Sequence, residues 1–94
     1  MLREARSTSA LVVAIDPGKV EHRVWLSTGA AGLVVEPRSL PVLRDGIEEL
    51  TRLVGDHAGG LRPVVAIEAT GSLHRAWMTA LEQRFPGSVN RRLV

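Results

Sequence analysis

The sequence predicts an α/β fold built on a mixed sheet, and three features of its pattern support this prediction. Two short apolar runs, Ala10 to Ile15 and Val64 to Ile67, have the length of strands. Between them lie a stretch in which apolar and polar residues alternate and a stretch in which apolar residues recur at helical spacing. Strands joined by short turns pair antiparallel, whereas a strand that follows a helix pairs parallel with a strand before that helix. We therefore expect three antiparallel strands, one parallel strand and two helices.

The first three strands are expected to form an antiparallel meander. The first is Leu11 to Asp16, and a turn of sequence DPGK follows it. The second covers residues 20–27 and alternates, so that one face carries Val20, His22, Val24 and Leu26 and the other Glu21, Arg23, Trp25 and Ser27. The third covers residues 32–42 and should be irregular, because Pro37 and Pro41 remove backbone donors.

Two helices are predicted in the second half of the chain. The first covers residues 43–60, where apolar spacing is helical, Asp45 and Glu48 suit a capping box, and Gly59 with Gly60 ends the helix. The second runs from about Ser72 to Phe85, with Trp77 on its buried side and Thr70 or Ser72 as N-cap. Residues 88–94 could begin a fifth strand.

Length and composition indicate one small globular domain. Of 94 residues, 45% are hydrophobic and 23% charged, which is enough apolar material to offset ordering entropy. We expect residues 1–9 to be a flexible tail and residues 10–94 to form the domain. The absence of cysteine excludes disulfides and thiolate metal sites, and no apolar run reaches the length of a membrane span. A cytoplasmic protein without membrane contact is expected.

The charge and aromatic content limit the classes of partner. A formal net charge of +2 permits contact with nucleic acid without requiring it, and the basic residues are almost all arginines, which suit phosphate. Only 3% of residues are aromatic, which argues against a sheet that stacks single-stranded bases.

A carboxylate ends each of the two apolar strands. Continuous apolar runs indicate strands covered on both faces, and Asp16 and Glu68 follow directly at their ends. Ligands of open α/β sheets bind beyond the carboxyl ends of the strands. Two close carboxylates resist joint ionisation unless a cation lies between them, and their hard oxygens suit Mg²⁺ or Mn²⁺. The alternative is that Asp16 only starts a turn and that Glu68 is only an exposed residue capping a helix.

The motifs AIDPGKVEHRVWLS, GIEELTRLV and VVAIEATGSLHRAWMTAL, over Leu11 to about Ser88, resemble the N-terminal RuvC-like domain of DEDD transposases of the IS one-ten family. The resemblance implies an RNase H-like fold, with Asp16 and Glu68 as catalytic residues and metal ligands. It also implies Mg²⁺-dependent phosphodiester cleavage and strand transfer on DNA. Family members use a structured RNA encoded by their element and carry a catalytic serine in a further C-terminal domain. The resemblance also implies a homo-oligomer in the full-length family.

The resemblance also implies an incomplete site. Family members need four acids, and the last two lie far beyond position 94, so we expect a truncated copy that binds metal weakly and is inactive alone. The remaining acids of the predicted helices are expected on a solvated face: Asp45, Glu48, Glu49, Asp56 and Glu82.

Secondary candidates for nucleic-acid contact lie near the two acids. They are Lys19, Thr70 and Gly71. The alternatives are that Lys19 is solvated and that Thr70 only caps a helix. The histidines 22, 57 and 74 lack metal-ligand spacing and are expected at the surface or in packing.

Two other functions stay open at this point. One is a non-catalytic remnant that binds nucleic acid or a partner chain. The other is a fragment of an actin-like ATPase or sugar kinase, since that fold also opens with a strand, a D-x-G turn and a second strand. The kinase alternative needs a second phosphate loop with glycines and an aspartate, and no such loop follows in the sequence.

Overall fold

The protein folds as a four-stranded mixed sheet with two helices packed against it. A computed structural model describes residues 10–68, 72 and 74–89. Along the chain the elements are β1 (Ala10–Asp16), β2 (Glu21–Thr28), β3 (Gly32–Pro41), α1 (Arg44–Ala58), β4 (Arg62–Ile67) and α2 (Arg75–Arg84). The strand order is β3-β2-β1-β4. This confirms the predicted meander with β1 central and β4 parallel to it. The predicted tail, residues 1–9, lies outside the described residues.

Register fixes which residues of neighbouring strands lie side by side. β1 pairs antiparallel with β2 from Leu11 opposite Thr28 to Asp16 opposite Arg23. On its other side β1 pairs parallel with β4, from Ala10 beside Arg62 to Ile15 beside Ile67. The parallel pairing follows from the helical connection, since a right-handed crossover through α1 returns the chain in the direction of β1.

The core lies on one face of the sheet. Alternate residues of β1 and β4 are buried there: Leu11, Val13, Ile15, Val65 and Ile67. They pack against Leu50 and Val54 of α1 and against Trp77 and Leu81 of α2. The expectation that β1 and β4 are covered on both faces is wrong for the described part of the chain. The intervening residues Val12, Ala14, Val64 and Ala66 are only half-buried, because both helices pack on the opposite face.

The predicted alternation of β2 is confirmed with one exception. His22, Val24 and Leu26 are buried, whereas Val20 is 76% exposed because it lies in the turn before the strand. The predicted irregularity of β3 is also confirmed. The β2–β3 register shifts between Val24 and Leu26, opposite the segment that contains Pro37, and again between Leu26 and Ser27.

The helix ends differ in part from the prediction. α1 follows Leu43, which provides no side-chain cap, so the capping box of Asp45 and Glu48 is wrong. Asp45 already lies inside the first turn and cannot occupy the N-cap position. The predicted stop is confirmed, since Gly59 adopts φ 54° at the C-cap.

α2 starts later than predicted. The residue at its N-cap position is His74, without a side-chain cap, and Ser72 lies in the turn before it. Ser72 is therefore not the N-cap, although its carbonyl accepts a 3.3 Å hydrogen bond from the Arg75 N–H. Thr70 and the predicted helical residue Leu73 lie outside the described residues. Within the described ranges, neither helix is long and apolar enough to cross a bilayer.

The chain after α2 pairs with the free edge of β4. The Val65 N–H donates to the Ser88 carbonyl at 2.8 Å, and Val89 forms a parallel bridge with Val65. The suggestion that a fifth strand begins here is confirmed to that extent. Glu82 holds this segment, because its carboxylate accepts the Gly87 N–H at 2.5 Å and the Val89 N–H at 3.3 Å. Glu82 was expected on a solvated face, and it instead anchors backbone.

Trp77 joins α2 to the start of α1 through a close contact with a glycine. Its indole N–H donates to the Val42 carbonyl at 3.0 Å. A Cβ on Gly46 would lie 1.8 Å from the Pro41 carbonyl oxygen and 3.1 Å from Trp77. Only glycine therefore allows α1 to approach the end of β3 and the indole this closely.

We expect Gly46→Ala to destabilise the fold by about 2 kcal/mol or more, because the added methyl group overlaps backbone that cannot move freely. Gly55→Ala is the matched control in the same helix, since a Cβ there meets nothing within 4 Å. It should stabilise by about 0.5–1 kcal/mol through helix propensity. Urea denaturation of both variants measures the difference. Equal stability of the two variants would contradict this account of the α1 contact.

We expect Glu82→Ala to speed hydrogen exchange at the Val65 amide by about tenfold, since a lost charge-assisted anchor corresponds to roughly 1.5 kcal/mol of local opening. Glu48→Ala is the control, because Glu48 forms an exposed ion pair with Arg84 and contacts no backbone of this segment. Exchange at Val65 that is equally slow in both variants would show that Glu82 does not hold the edge.

Candidate metal centre

Asp16 and Glu68 lie at the same edge of the sheet. Ile15 and Ile67 are the last paired residues of β1 and β4, and the two acids are the next residue of each chain. Neighbouring strands lie about 4.8 Å apart, so the shared register makes the acids neighbours across the strand pair. Side chains alternate along a strand, which places both acids on the face opposite the helices. Both are exposed.

The two acids border an open depression on that face. Its volume is about 560 Å³, and it is lined by Ala14, Ile15, Asp16, Trp25, Ala66, Ile67 and Glu68. Trp25 pairs with Ala14, and Ala14 pairs with Ala66, so these three residues form the row of the sheet next to the acids. Two alanines in that row leave the space between the half-buried indole and the carboxylates.

Neither carboxylate has a partner within the described ranges. The ion pairs there join Arg52 to Glu49 and Asp56, and Arg84 to Glu48, all on the helices. Arg23 is the cross-strand neighbour of Asp16, is exposed, and forms no such pair. Within the described part of the chain, no ion pair or side-chain hydrogen bond engages the oxygens of Asp16 and Glu68.

The turn after Asp16 is tightly built. A Cβ on Gly18 would lie 2.3 Å from the Glu21 carbonyl oxygen, so the DPGK turn requires glycine at this position. The Gly18 N–H donates to His22 Nδ1 at 3.1 Å. Lys19 is exposed and does not line the depression. Its predicted contact with nucleic acid stays a prediction.

Sequence reasoning placed some of these residues and missed others. Asp16 and Glu68 share the depression, as the strand-end pattern indicated. Thr70 and Gly71 lie outside the described residues. Trp25 was not named as a site residue, although the alternation of β2 already put it on the face away from the core. His22 was expected at the surface or in packing, and no signal in the sequence reveals its bond to Gly18.

The donor chemistry fits a hard divalent cation. Two exposed carboxylates on neighbouring strands supply the oxygen ligands that Mg²⁺ and Mn²⁺ prefer. Within the described residues, no third acid or histidine joins them to form a larger group. The pair thus supplies only part of a coordination shell, and water or further ligands would complete the coordination of an ion held there.

No protein-family model matches the sequence, and no curated protein matches it.

Proposed function

We propose that this chain is the N-terminal, RNase H-like part of a DEDD transposase, in which Asp16 and Glu68 bind Mg²⁺ or Mn²⁺. The observation that carries the proposal is the register of β1 and β4, which brings the two acids to the same edge and the same face. A carboxylate that only starts a turn needs no second acid beside it, in the same depression.

The architecture supports the RNase H-like assignment. Such a fold has an antiparallel meander followed by a helix and a strand parallel to the first, and this chain has that order of elements. The short bridge of Val89 to β4 lies where a fifth strand would continue the sheet. The resemblance of the motifs around Asp16 and Glu68 supplies the family.

In this function the chain's own residues hold the ion and approach DNA. Asp16 and Glu68 supply carboxylate oxygens, and exposed Arg23 at the same edge offers a guanidinium to phosphate. When bound, a divalent ion stabilises the negative charge that develops in phosphodiester cleavage. DNA is the proposed substrate, and an element-encoded RNA and a second copy of the protein are proposed partners.

Counting ligands sets the expected affinity and activity. Phosphoryl chemistry with two ions needs several carboxylates, and two acids at an open edge supply only part of one cage. Mg²⁺ sheds water reluctantly. The chain alone should therefore bind Mg²⁺ or Mn²⁺ weakly, with Kd on the order of 1 mM.

We expect paramagnetic Mn²⁺ to broaden the indole N–H signal of Trp25 and to leave that of Trp77 sharp. These are the two tryptophans of the chain. Trp25 lines the depression with the acids, whereas Trp77 is buried on the opposite face of the sheet. Proton NMR during a Mn²⁺ titration measures both signals in one sample.

Asp16→Asn and Glu68→Gln should each abolish the selective broadening, because each removes charge while keeping shape. Asp45→Asn is the matched control on α1, and it should behave as the unaltered chain does. Equal broadening of both indoles, or broadening that survives Asp16→Asn, would exclude this metal site.

We expect no DNA cleavage by the 94-residue chain, even with Mn²⁺, because its acids form an incomplete cage. A longer chain with a family-like C-terminal segment that carries two further acids should nick DNA in a metal-dependent manner. Asp16→Ala and Glu68→Ala in that longer chain should each reduce cleavage to background, while Asp45→Ala should not. Metal-dependent nicking by the 94-residue chain that survives Asp16→Ala would show that the site is elsewhere.

A further inference from the structure

We propose that His22 is a positioning residue for the Asp16–Glu68 pair, and that it acts by fixing the turn that follows Asp16. The inference rests on the proposed metal-binding function, and it assigns a role to a residue outside the depression.

The first observation is the bond between the ring and the turn. His22 has no exposed surface, and its Nδ1 accepts the Gly18 N–H at 3.1 Å. Gly18 is two residues beyond Asp16, and Pro17 between them has a fixed φ. The contact of Gly18 with the Glu21 carbonyl leaves no space for a side chain. The direction in which the chain leaves Asp16 therefore depends on where the ring holds Gly18.

The second observation is that the ring is itself held from the other side. The rings of His22 and Trp77 lie 4.5 Å apart with an interplanar angle of 72°, an edge-to-face contact. The Trp77 indole N–H donates to the Val42 carbonyl, and the Val42 N–H donates to the Val20 carbonyl at 3.1 Å. A closed series of contacts thus ties the turn after Asp16 to α2.

The bond defines the protonation state that it needs. Because Nδ1 accepts a hydrogen bond, the neutral ring carries its proton on Nε2. A doubly protonated ring has N–H groups at both nitrogens and can no longer accept from Gly18. Protonation of His22 therefore releases the turn, and the position of Asp16 becomes sensitive to pH.

Burial keeps the ring neutral near pH 7. It lowers the pKa of His22 from the usual value of 6.5, and the backbone of Glu21 opposes this in part. Among the described residues, no charged side chain contributes to the shift. The titratable groups of the elements around the ring are Lys19, Glu21 and Arg23 beside it and Asp16 of β1. The others are Glu36 and Arg38 of β3, the buried His74 ahead of α2, and Arg75, Glu82 and Arg84 within α2.

The same shift sets the direction of the change in stability with pH. The unfolded chain binds a proton at this histidine below about pH 6.5, and the folded chain binds it only at lower pH. The contribution of His22 to stability is therefore fully present above pH 6.5 and falls as the pH decreases through the window below it.

Two variants separate positioning from simple packing. His22→Asn keeps an acceptor close to the place of Nδ1 and has no proton to titrate, whereas His22→Leu fills the space and removes the acceptor. If the ring only packs, His22→Leu should retain Mn²⁺ affinity better than His22→Asn. If the ring positions Gly18, His22→Asn should retain it better.

The experiment uses the full ¹⁵N-labelled chain and Mn²⁺ as the probe. Selective broadening of the Trp25 indole signal measures Mn²⁺ affinity, and the Gly18 amide shift reports the hydrogen bond. We expect His22→Leu to weaken Mn²⁺ binding by about tenfold, an effect of the size seen when a group that orients a metal ligand is removed, and His22→Asn to retain it within about threefold. The dispersed Trp77 signal verifies that each variant is folded.

A pH titration of the unaltered chain tests the same point without any substitution. As the pH is lowered from about 7.5 to values below 6.5, the Gly18 amide shift and the Mn²⁺ affinity should change together where the His22 ring protonates, and His22→Asn should lack this shared step. Mn²⁺ affinity that stays constant while the His22 ring titrates would overturn the positioning role.

The two proposals fail in different ways. Equal Mn²⁺ affinity in the unaltered chain and in folded His22→Leu overturns the role of His22 and leaves the metal site intact. An absence of selective Trp25 broadening in the unaltered chain at pH 7.5 overturns the metal site itself, and the positioning role with it, even where the Gly18 amide still follows the ring.

Discussion

The parallel pairing of β1 with β4 is the constraint on which the candidate site depends. The register that sets Ile15 beside Ile67 buries both isoleucines against the helices and puts the next residue of each strand on the open face. Because side chains alternate along a strand, a slip of one residue in either strand would move its acid to the other face and expose its core residues. Burial of the core and juxtaposition of Asp16 with Glu68 are thus two results of one register.

The turn after Asp16 adds a long-range support to this local geometry. Gly18 is bound to His22, His22 packs on Trp77, and Trp77 is bound to Val42 ahead of α1. Contacts on the helix side of the sheet are therefore connected to the turn that follows Asp16 on the open face. A strand end held only by its own ladder would fray, whereas this one is fixed by a side chain that comes from inside the core.

The sequence was sufficient to predict the order and direction of the strands, because their apolar runs and connections leave few topologies. It also indicated that Asp16 and Glu68 follow the ends of two strands and lie side by side. The helix starts were wrong where capping chemistry was assigned to Asp45 and Ser72, since backbone turns rather than side chains begin both helices. Single-sided burial of β1 was missed, because an apolar run looks the same whether one face or both faces are covered. The hydrogen bonds of His22 to Gly18 and of Glu82 to Gly87 and Val89 span only four to seven residues, but none of the patterns used to assign strands and helices marks them.

A double-mutant cycle on Mn²⁺ binding tests most directly whether Asp16 and Glu68 hold one ion together. Free Mn²⁺ is measured by electron paramagnetic resonance for the unaltered chain, Asp16→Asn, Glu68→Gln and the double variant. A shared ion predicts strong non-additivity, with each single variant losing nearly as much binding free energy as the double variant. Losses that add independently, or a double variant that binds Mn²⁺ as the unaltered chain does, would contradict a shared site.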